Sequence, residues 1–244
     1  MKNVELKSLM QAGVHFGHKS VNWNPKMGPF LYGTKAGVHI FNLEKTKSQL
    51  EEAYEFIKKT VAGGGTVLFV GTKPQAKDIV RKYAAEAGMP FVTERWLGGT
   101  LTNFVEINKL VKKLNHLIQS SNHEDYEQKY TKKERLIFSE EMVALEKTIG
   151  GIVTLLKLPD VIFVASVKAD KIAVTEAIKT NVKIVGICDS NTNPDKVDYV
   201  VPANDDALKS IELLAAYFAA AVKAGKEEAL QQKQEIQIEN KNVE

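Results

Sequence analysis

Short runs that are apolar on both faces constrain this chain more than any other feature. Val67-Leu68-Phe69-Val70 and Val161 to Ala165 are the clearest, and both are strand length. A strand apolar at every position must be covered on both sides, which is the condition of a parallel sheet sandwiched between helices. The segments between such runs have helical spacing. Leu50, Ala53, Tyr54, Ile57 and Val61 form one stripe, closed by Gly63-Gly64-Gly65. The order continues with Thr66 to Val70, a helix to about Ala87 with Pro74 in its first turn, and a short strand at Phe91-Val92. Then come a strand at Val161 to Ala165, a helix over about Asp170 to Thr180, strands at Lys183 to Cys188 and near Tyr199 to Val201, and a helix over about Asp205 to Lys223. The chain therefore reads as an α/β protein, a doubly wound sheet in three layers, with right-handed crossovers.

Residues 104–149 break the alternation. Phe104, Ile107, Leu110, Val111, Leu114, Leu117 and Ile118 share one helical face. Thr131-Lys132-Lys133-Glu134 has the form of a capping box, and it opens a second helix striped by Leu136, Ile137, Val143, Leu145 and Ile149. Two antiparallel helices with a polar tip predict a hairpin inserted into the sheet domain, its stripe assigned to packing between the two helices. The expected division is an N-terminal basic extension and hairpin packed on the core (1–44), a first half of the α/β domain (45–103), the inserted helical hairpin (104–150), a second half (151–225) and a polar tail (226–244). Few apolar residues in that tail predict fraying or disorder.

Composition narrows function by exclusion. The 244 residues are 44% hydrophobic and 26% charged, ordinary values for a globular chain. No apolar run approaches the roughly 20 residues of a membrane-spanning helix. The first residues lack a long apolar stretch, so no signal peptide and a cytoplasmic address are expected. Cys188 is the only cysteine, which rules out an intrachain disulfide and any multi-cysteine zinc site. Charge is uneven. Seven lysines against Glu5 and Glu44 give residues 1–50 a charge of +5, leaving −2 elsewhere from a total of +3. A basic segment favours polyanions through Coulomb attraction and counterion release. A lysine-rich solvated surface is the competing explanation.

Several motifs bear on chemistry. Gly71-Thr72-Lys73 lies between a strand and a helix, where a phosphate would meet a helix N-terminus, but it lacks the spacing of a phosphate-binding loop, and no Gly-x-Gly-x-x-Gly follows any strand. A simple βα turn is the better reading. Asp189 stands at a strand end, where open α/β sheets bind ligands. It also opens Asp-Ser-Asn-Thr-Asn-Pro-Asp, which reads as a turn. Asp205-Asp206 is read as a pair of acids at a helix N-terminus, and Cys188 as a buried strand-end thiol. A nucleotide- or phosphate-binding enzyme built on Gly71-Thr72-Lys73 and Asp189 is the alternative function.

His15 and His18 offer too few ligands for a structural zinc. With Lys19, Trp23, Asn24 and Lys26 they make a better RNA-binding set, lysine meeting phosphate while Trp and His stack on bases or ribose. Trp23 filling the core beneath a loop is compatible with that role. Arg95-Trp96-Leu97-Gly98-Gly99-Thr100-Leu101-Thr102-Asn103 is the least ordinary stretch. Its glycines permit close backbone approach, and Thr102 or Asn103 can cap the next helix. It reads as an anion-binding turn or a tight structural corner.

Taken together, these segments resemble the bacterial small-subunit ribosomal protein S2 family. The resemblance rests on Ala12-Gly13-Val14-His15-Phe16-Gly17-His18, Trp23-Asn24-Pro25-Lys26-Met27, Phe69-Val70-Gly71-Thr72-Lys73 and the Arg95–Asn103 stretch. Thr131-Lys132-Lys133-Glu134, Gly150-Gly151-Ile152, Leu158-Pro159-Asp160 and Asn204-Asp205-Asp206-Ala207 follow in the family's order, covering about residues 9–223. The chain departs from the family at Lys19-Ser20-Val21-Asn22, where many relatives place arginine, at Ser166, where an aspartate commonly stands, and at Ala203, usually glycine. The resemblance implies a flavodoxin-like, Rossmann-like parallel sheet with a protruding helical hairpin and no catalytic activity. It implies binding to small-subunit ribosomal RNA at the head–body junction, beside neighbouring small-subunit proteins, and help in holding the large messenger-binding protein S1. No cofactor, metal, membrane or small-molecule substrate is expected. The RNA-facing residues are expected to be His15, His18, Lys19, Trp23, Asn24, Lys26, Arg95, Trp96, Thr100 and Asn103, with Lys112, Lys113, Lys132 and Lys133 on the hairpin.

Overall fold

A computed structural model describes residues 4–123 and 126–241. Helix α1 (Leu6–Gln11) ends at Gly13, whose φ of 73° suits a residue without a Cβ. Strands β1 (Phe16–Lys19), β2 (Leu31–Lys35) and β3 (Val38–Phe41) then form an antiparallel sheet in the order β1-β3-β2. The basic extension and hairpin expected at the N-terminus thus form a small three-stranded sheet. Helix α2 (Leu43–Ala62) is capped by the Asn42 side chain, which accepts from the amides of Glu44 and Lys45.

The alternation continues with β4 (Val67–Val70), α3 (Lys77–Ala87) and β5 (Phe91–Val92). Pro74 lies in the turn before α3 rather than in its first turn. Helix α4 (Phe104–Ser121), the short α5 (Tyr126–Lys129) and α6 (Lys132–Ile149) make the inserted hairpin. Strand β6 (Val161–Val164), α7 (Lys171–Lys179), β7 (Lys183–Cys188), β8 (Tyr199–Pro202) and α8 (Leu208–Lys241) complete the chain. The five strands β4 to β8 are all parallel, in the order β5-β4-β6-β7-β8. The architecture is the three-layer α/β fold expected.

Alternate residues of each central strand serve different layers. Val67 and Phe69 of β4, with Val161 and Phe163 of β6, face Ile57, Val80 and Phe218 on the side covered by α2, α3 and α8. Leu68, Val70, Ile162 and Val164 face Trp96, Leu114, Ile149 and Val174 on the side covered by α4, α6 and α7. All eight strand residues are fully buried. Each such side chain contributes about 1.5–3 kcal/mol of burial, so the sheet centre holds both layers together.

Two expectations need correction. The polar tail is helical to Lys241: the sequence offers no proline after Gly225, and its Glu, Gln and Lys residues favour helix. Gly225 does not stop α8, because it is where the helix passes close to α2; a Cβ there would lie 2.5 Å from the Lys58 carbonyl oxygen. Residues 242–244 lie outside the described residues. The apolar stripe of the hairpin is only partly used between helices. Leu110, Met142 and Leu145 pack on the core, while Leu136, Ile137 and Val143 remain exposed.

Candidate nucleic-acid interface

The basic extension is held on the C-terminal edge of the sheet by backbone bonds that the sequence does not announce. The His18 amide donates to the Ser190 hydroxyl at 2.7 Å, and the Asn24 amide donates to the Ser190 carbonyl at 2.7 Å. The Asn204 amide donates to the Val14 carbonyl at 3.1 Å. Gly17 is needed for this fit, since a Cβ there would lie 2.8 Å from the Ser190 hydroxyl. The extension is therefore anchored to the loop after β7 rather than loose.

On this frame Lys19 is exposed at the end of β1. Trp23 is 38% exposed and packs against His39 with ring centres 5.0 Å apart, so one face is buried while the other meets solvent. Asn24 is committed to the backbone, its side chain accepting from the Lys26 amide at 3.0 Å. Lys26 is ion-paired with Asp195, both half-exposed. His15 is partly buried, and burial lowers its pKa. His18 is turned inward. Its Nδ1 lies 2.9 Å from Asp189 and its Nε2 3.4 Å from Asp206. The bond to Asp189, helped by Asp206 and Asp205 and opposed by burial, holds its pKa above the ordinary value.

The Arg95–Asn103 loop does bind an anion, and the anion is the protein's own. Glu176 of α7 is 7% exposed and points its carboxylate into the turn. One oxygen accepts from the Trp96 indole at 3.1 Å and the Gly99 amide at 2.8 Å. The other accepts from the amides of Leu101 at 2.9 Å and Thr102 at 3.2 Å, and from the Thr102 hydroxyl at 3.2 Å. Burial opposes its charge, but these donors outweigh burial and hold its pKa below the usual carboxylate range. Gly99, at φ 94°, supplies the left-handed turn that aims the amides inward.

This corrects the expectation for two residues. Trp96 and Thr100 are buried, and the Thr100 hydroxyl is spent on the Leu97 carbonyl at 2.6 Å. Their side chains shape the loop and do not reach its surface, whereas Arg95 and Asn103 are exposed. Asn103 occupies the N-cap position of α4 without a capping bond from its side chain, and the Thr102 hydroxyl is used on Glu176. On the hairpin, Lys113 pairs with Glu141 across α4 and α6, while Lys112, Lys132 and Lys133 are exposed.

Beside the extension, the carboxyl ends of β4, β6 and β7, where the enzyme alternative would place its ligand, carry a cluster of charged side chains. It is acidic. Lys73 donates to Asp205 at 2.8 Å and lies 2.7 Å from Asp206; these partners outweigh burial and keep its pKa raised. The Thr72 hydroxyl donates to Asp170 at 2.6 Å. Burial holds the Asp170 carboxyl above the usual range, against the bonds from Thr72. Ser166 donates to Asp205, which is buried rather than exposed at a helix start. The fold has brought together four carboxylates, Asp170, Asp189, Asp205 and Asp206, around Lys73 and His18. A phosphate would meet net negative charge here, and the lysine that could receive it is already taken.

The sequence also gave no sign that carboxylates would surround His18. Donor atoms of His18, Asp189 and Asp206 lie within 4.8 Å of one another, a geometry that could hold a metal ion. Lys73 already pairs with one of those carboxylates. Neither Glu176 nor the acidic ring was legible as a site, because their partners are far away in sequence.

The family ribosomal protein S2 matches residues 9–225. Small ribosomal subunit protein uS2 of Streptomyces coelicolor is 44% identical over 225 residues, covering 92% of this chain and 73% of that protein. No helix among the described residues is long and apolar enough to cross a membrane. The match over most of the chain shows that the chain belongs to the ribosomal protein S2 family, structural components of the small ribosomal subunit and not enzymes.

Proposed function

We propose that this chain binds small-subunit ribosomal RNA near the head–body junction, mainly through its basic N-terminal extension, and helps hold ribosomal protein S1. The observation that carries the RNA reading is the lysine-rich N-terminal segment, whose described part before α2 is anchored on the sheet by the Ser190 and Asn204 bonds, with Lys19 exposed and Trp23 part-exposed. A pre-ordered cation beside an open aromatic face suits phosphate contact with base or ribose stacking. Arg95 and Asn103 extend that surface, and Lys112, Lys132 and Lys133 add charge on the hairpin. Lys26 contributes after giving up Asp195. The resemblance carries the S1 reading. Support for it comes from the exposed Met10 and Tyr32, which line one shallow pocket, and from the exposed Phe16, apolar side chains suited to a protein partner.

The test is binding of the full chain to purified small-subunit ribosomal RNA across a salt series. Lys19→Gln is expected to weaken binding and flatten the slope of log affinity against log salt by about one. Lys26→Gln is expected to do less, because its ion pair offsets part of the contact. Unchanged affinity and slope in the double variant would overturn the assignment of RNA binding to the extension. For S1, small subunits rebuilt with a Phe16→Ser/Tyr32→Ser variant should retain less S1; undiminished S1 would overturn that part.

A further inference from the structure

A groove between α7 and the loop after β7 shares Thr102 and Glu176 with the turn described above. Its volume is about 560 Å³, and Lys168, Lys171, Lys179 and Lys196 stand around it over a floor that includes Val167 and Ile172. All four lysines are exposed, and none has a carboxylate partner among the described residues. The nearby acids are already occupied: Glu176 by the Arg95–Asn103 loop, Asp195 by Lys26 and Asp198 by Lys183 at 2.7 Å. The groove thus holds four lysines without an ion-pair partner among the described residues, and the one carboxylate that lines it, Glu176, is bound to the loop amides.

We propose that this groove is a second RNA-binding surface, which takes a single strand of several nucleotides. The inference rests on the RNA-binding reading above and extends it to the opposite flank of the Arg95–Asn103 loop. Lys171 and Lys179 lie about 12 Å apart along the α7 axis, too far for one phosphate and suited to a run of them. Between the cations, Asn191 and Asn193 line the groove with side-chain amides, while the hydroxyls of Thr102 and Thr175 donate to Glu176 and the Lys171 carbonyl and are left to accept. Such groups suit ribose 2′-hydroxyls and base edges. The rim contains no Trp, Tyr or Arg, the side chains that anchor protein interfaces. That composition favours a polyanion over an acidic protein segment. Thr102 belongs both to this groove and to the loop bearing Arg95, so one RNA could cross from one surface to the other.

The experiment replaces Lys168, Lys171, Lys179 and Lys196 together by Gln in the full chain. Binding to purified small-subunit ribosomal RNA is then measured across a salt series beside wild type and Lys19→Gln/Lys26→Gln. The four lysines make no intramolecular ion pair, so the variant should melt as wild type does. The expected result is a slope of log affinity against log salt lower by about three. A wild-type slope and affinity in this variant, with loss in the Lys19/Lys26 variant, would overturn the groove alone. No binding by wild type would overturn both readings. Unchanged RNA binding, with a ribosomal protein lost from subunits rebuilt with the variant, would overturn the proposal by assigning the groove to a protein.

Discussion

Glu176 shows how much one buried charge can organise. A carboxylate out of water is costly unless its lone pairs are filled, and five donors from one loop fill them here. Glu176→Gln keeps the shape but presents an amide donor to donors. It should cost about 2–4 kcal/mol in urea unfolding and loosen the loop that carries Arg95. The sign of the pH dependence follows from the pKa. Because the folded value lies below the ordinary 4.5, the stabilisation is present above the unfolded value and is lost as pH falls through the folded one. The stability gap between wild type and Glu176→Gln should therefore be full at neutral pH and shrink on acidification below pH ~4. A gap independent of pH would mean that the charge of Glu176 is not what stabilises the turn.

At the scale of elements, a close backbone approach fixes the base of the hairpin to the sheet. Gly151 passes so close to β5 that a Cβ would lie 2.2 Å from the Phe91 carbonyl oxygen. Gly151→Ala should destabilise the protein by about 2–4 kcal/mol through backbone displacement. Gly98→Ala, where nothing lies within 4 Å, should change stability by no more than about 0.5 kcal/mol; parity of the two in thermal melts would refute the close packing. At the far end of the hairpin, Thr131 and Glu134 exchange capping bonds, as their spacing foretold. Thr131→Ala should cost about 1 kcal/mol and speed amide exchange in the first turn of α6 without affecting the sheet. The capping box was legible because it lies within four residues. The exposure of Leu136, Ile137 and Val143 was not, because a helical stripe records a face and not what covers it.

The whole molecule joins its parts across the sheet centre, so the extension and the core should unfold together. The two tryptophans allow a test: Trp96 lies in the layer under α4 and α6, and Trp23 lies on the extension. Fluorescence of Trp23→Phe and Trp96→Phe variants in urea should give coincident transitions once each is referred to its own circular dichroism. An earlier transition reported by Trp23 would mean that the extension is only tethered. At this scale the fold was largely readable. Leu68 and Phe69 are neighbours, both apolar, and so must face opposite covered layers. The chain by itself determined the five strands of its parallel sheet, most of its helices and the inserted hairpin, but not the small antiparallel sheet of the extension, because periods of 2 and 3.6 residues and turn chemistry act over short distances. Tertiary structure alone decided that Trp96 is buried on Glu176, 80 residues away, that His18 meets the loop at Asp189 and Ser190, 172 residues from His18 in the latter case, and that Lys73 is neutralised by Asp205. Those pairings depend on which strand ends the packed sheet brings together, and no local pattern encodes that.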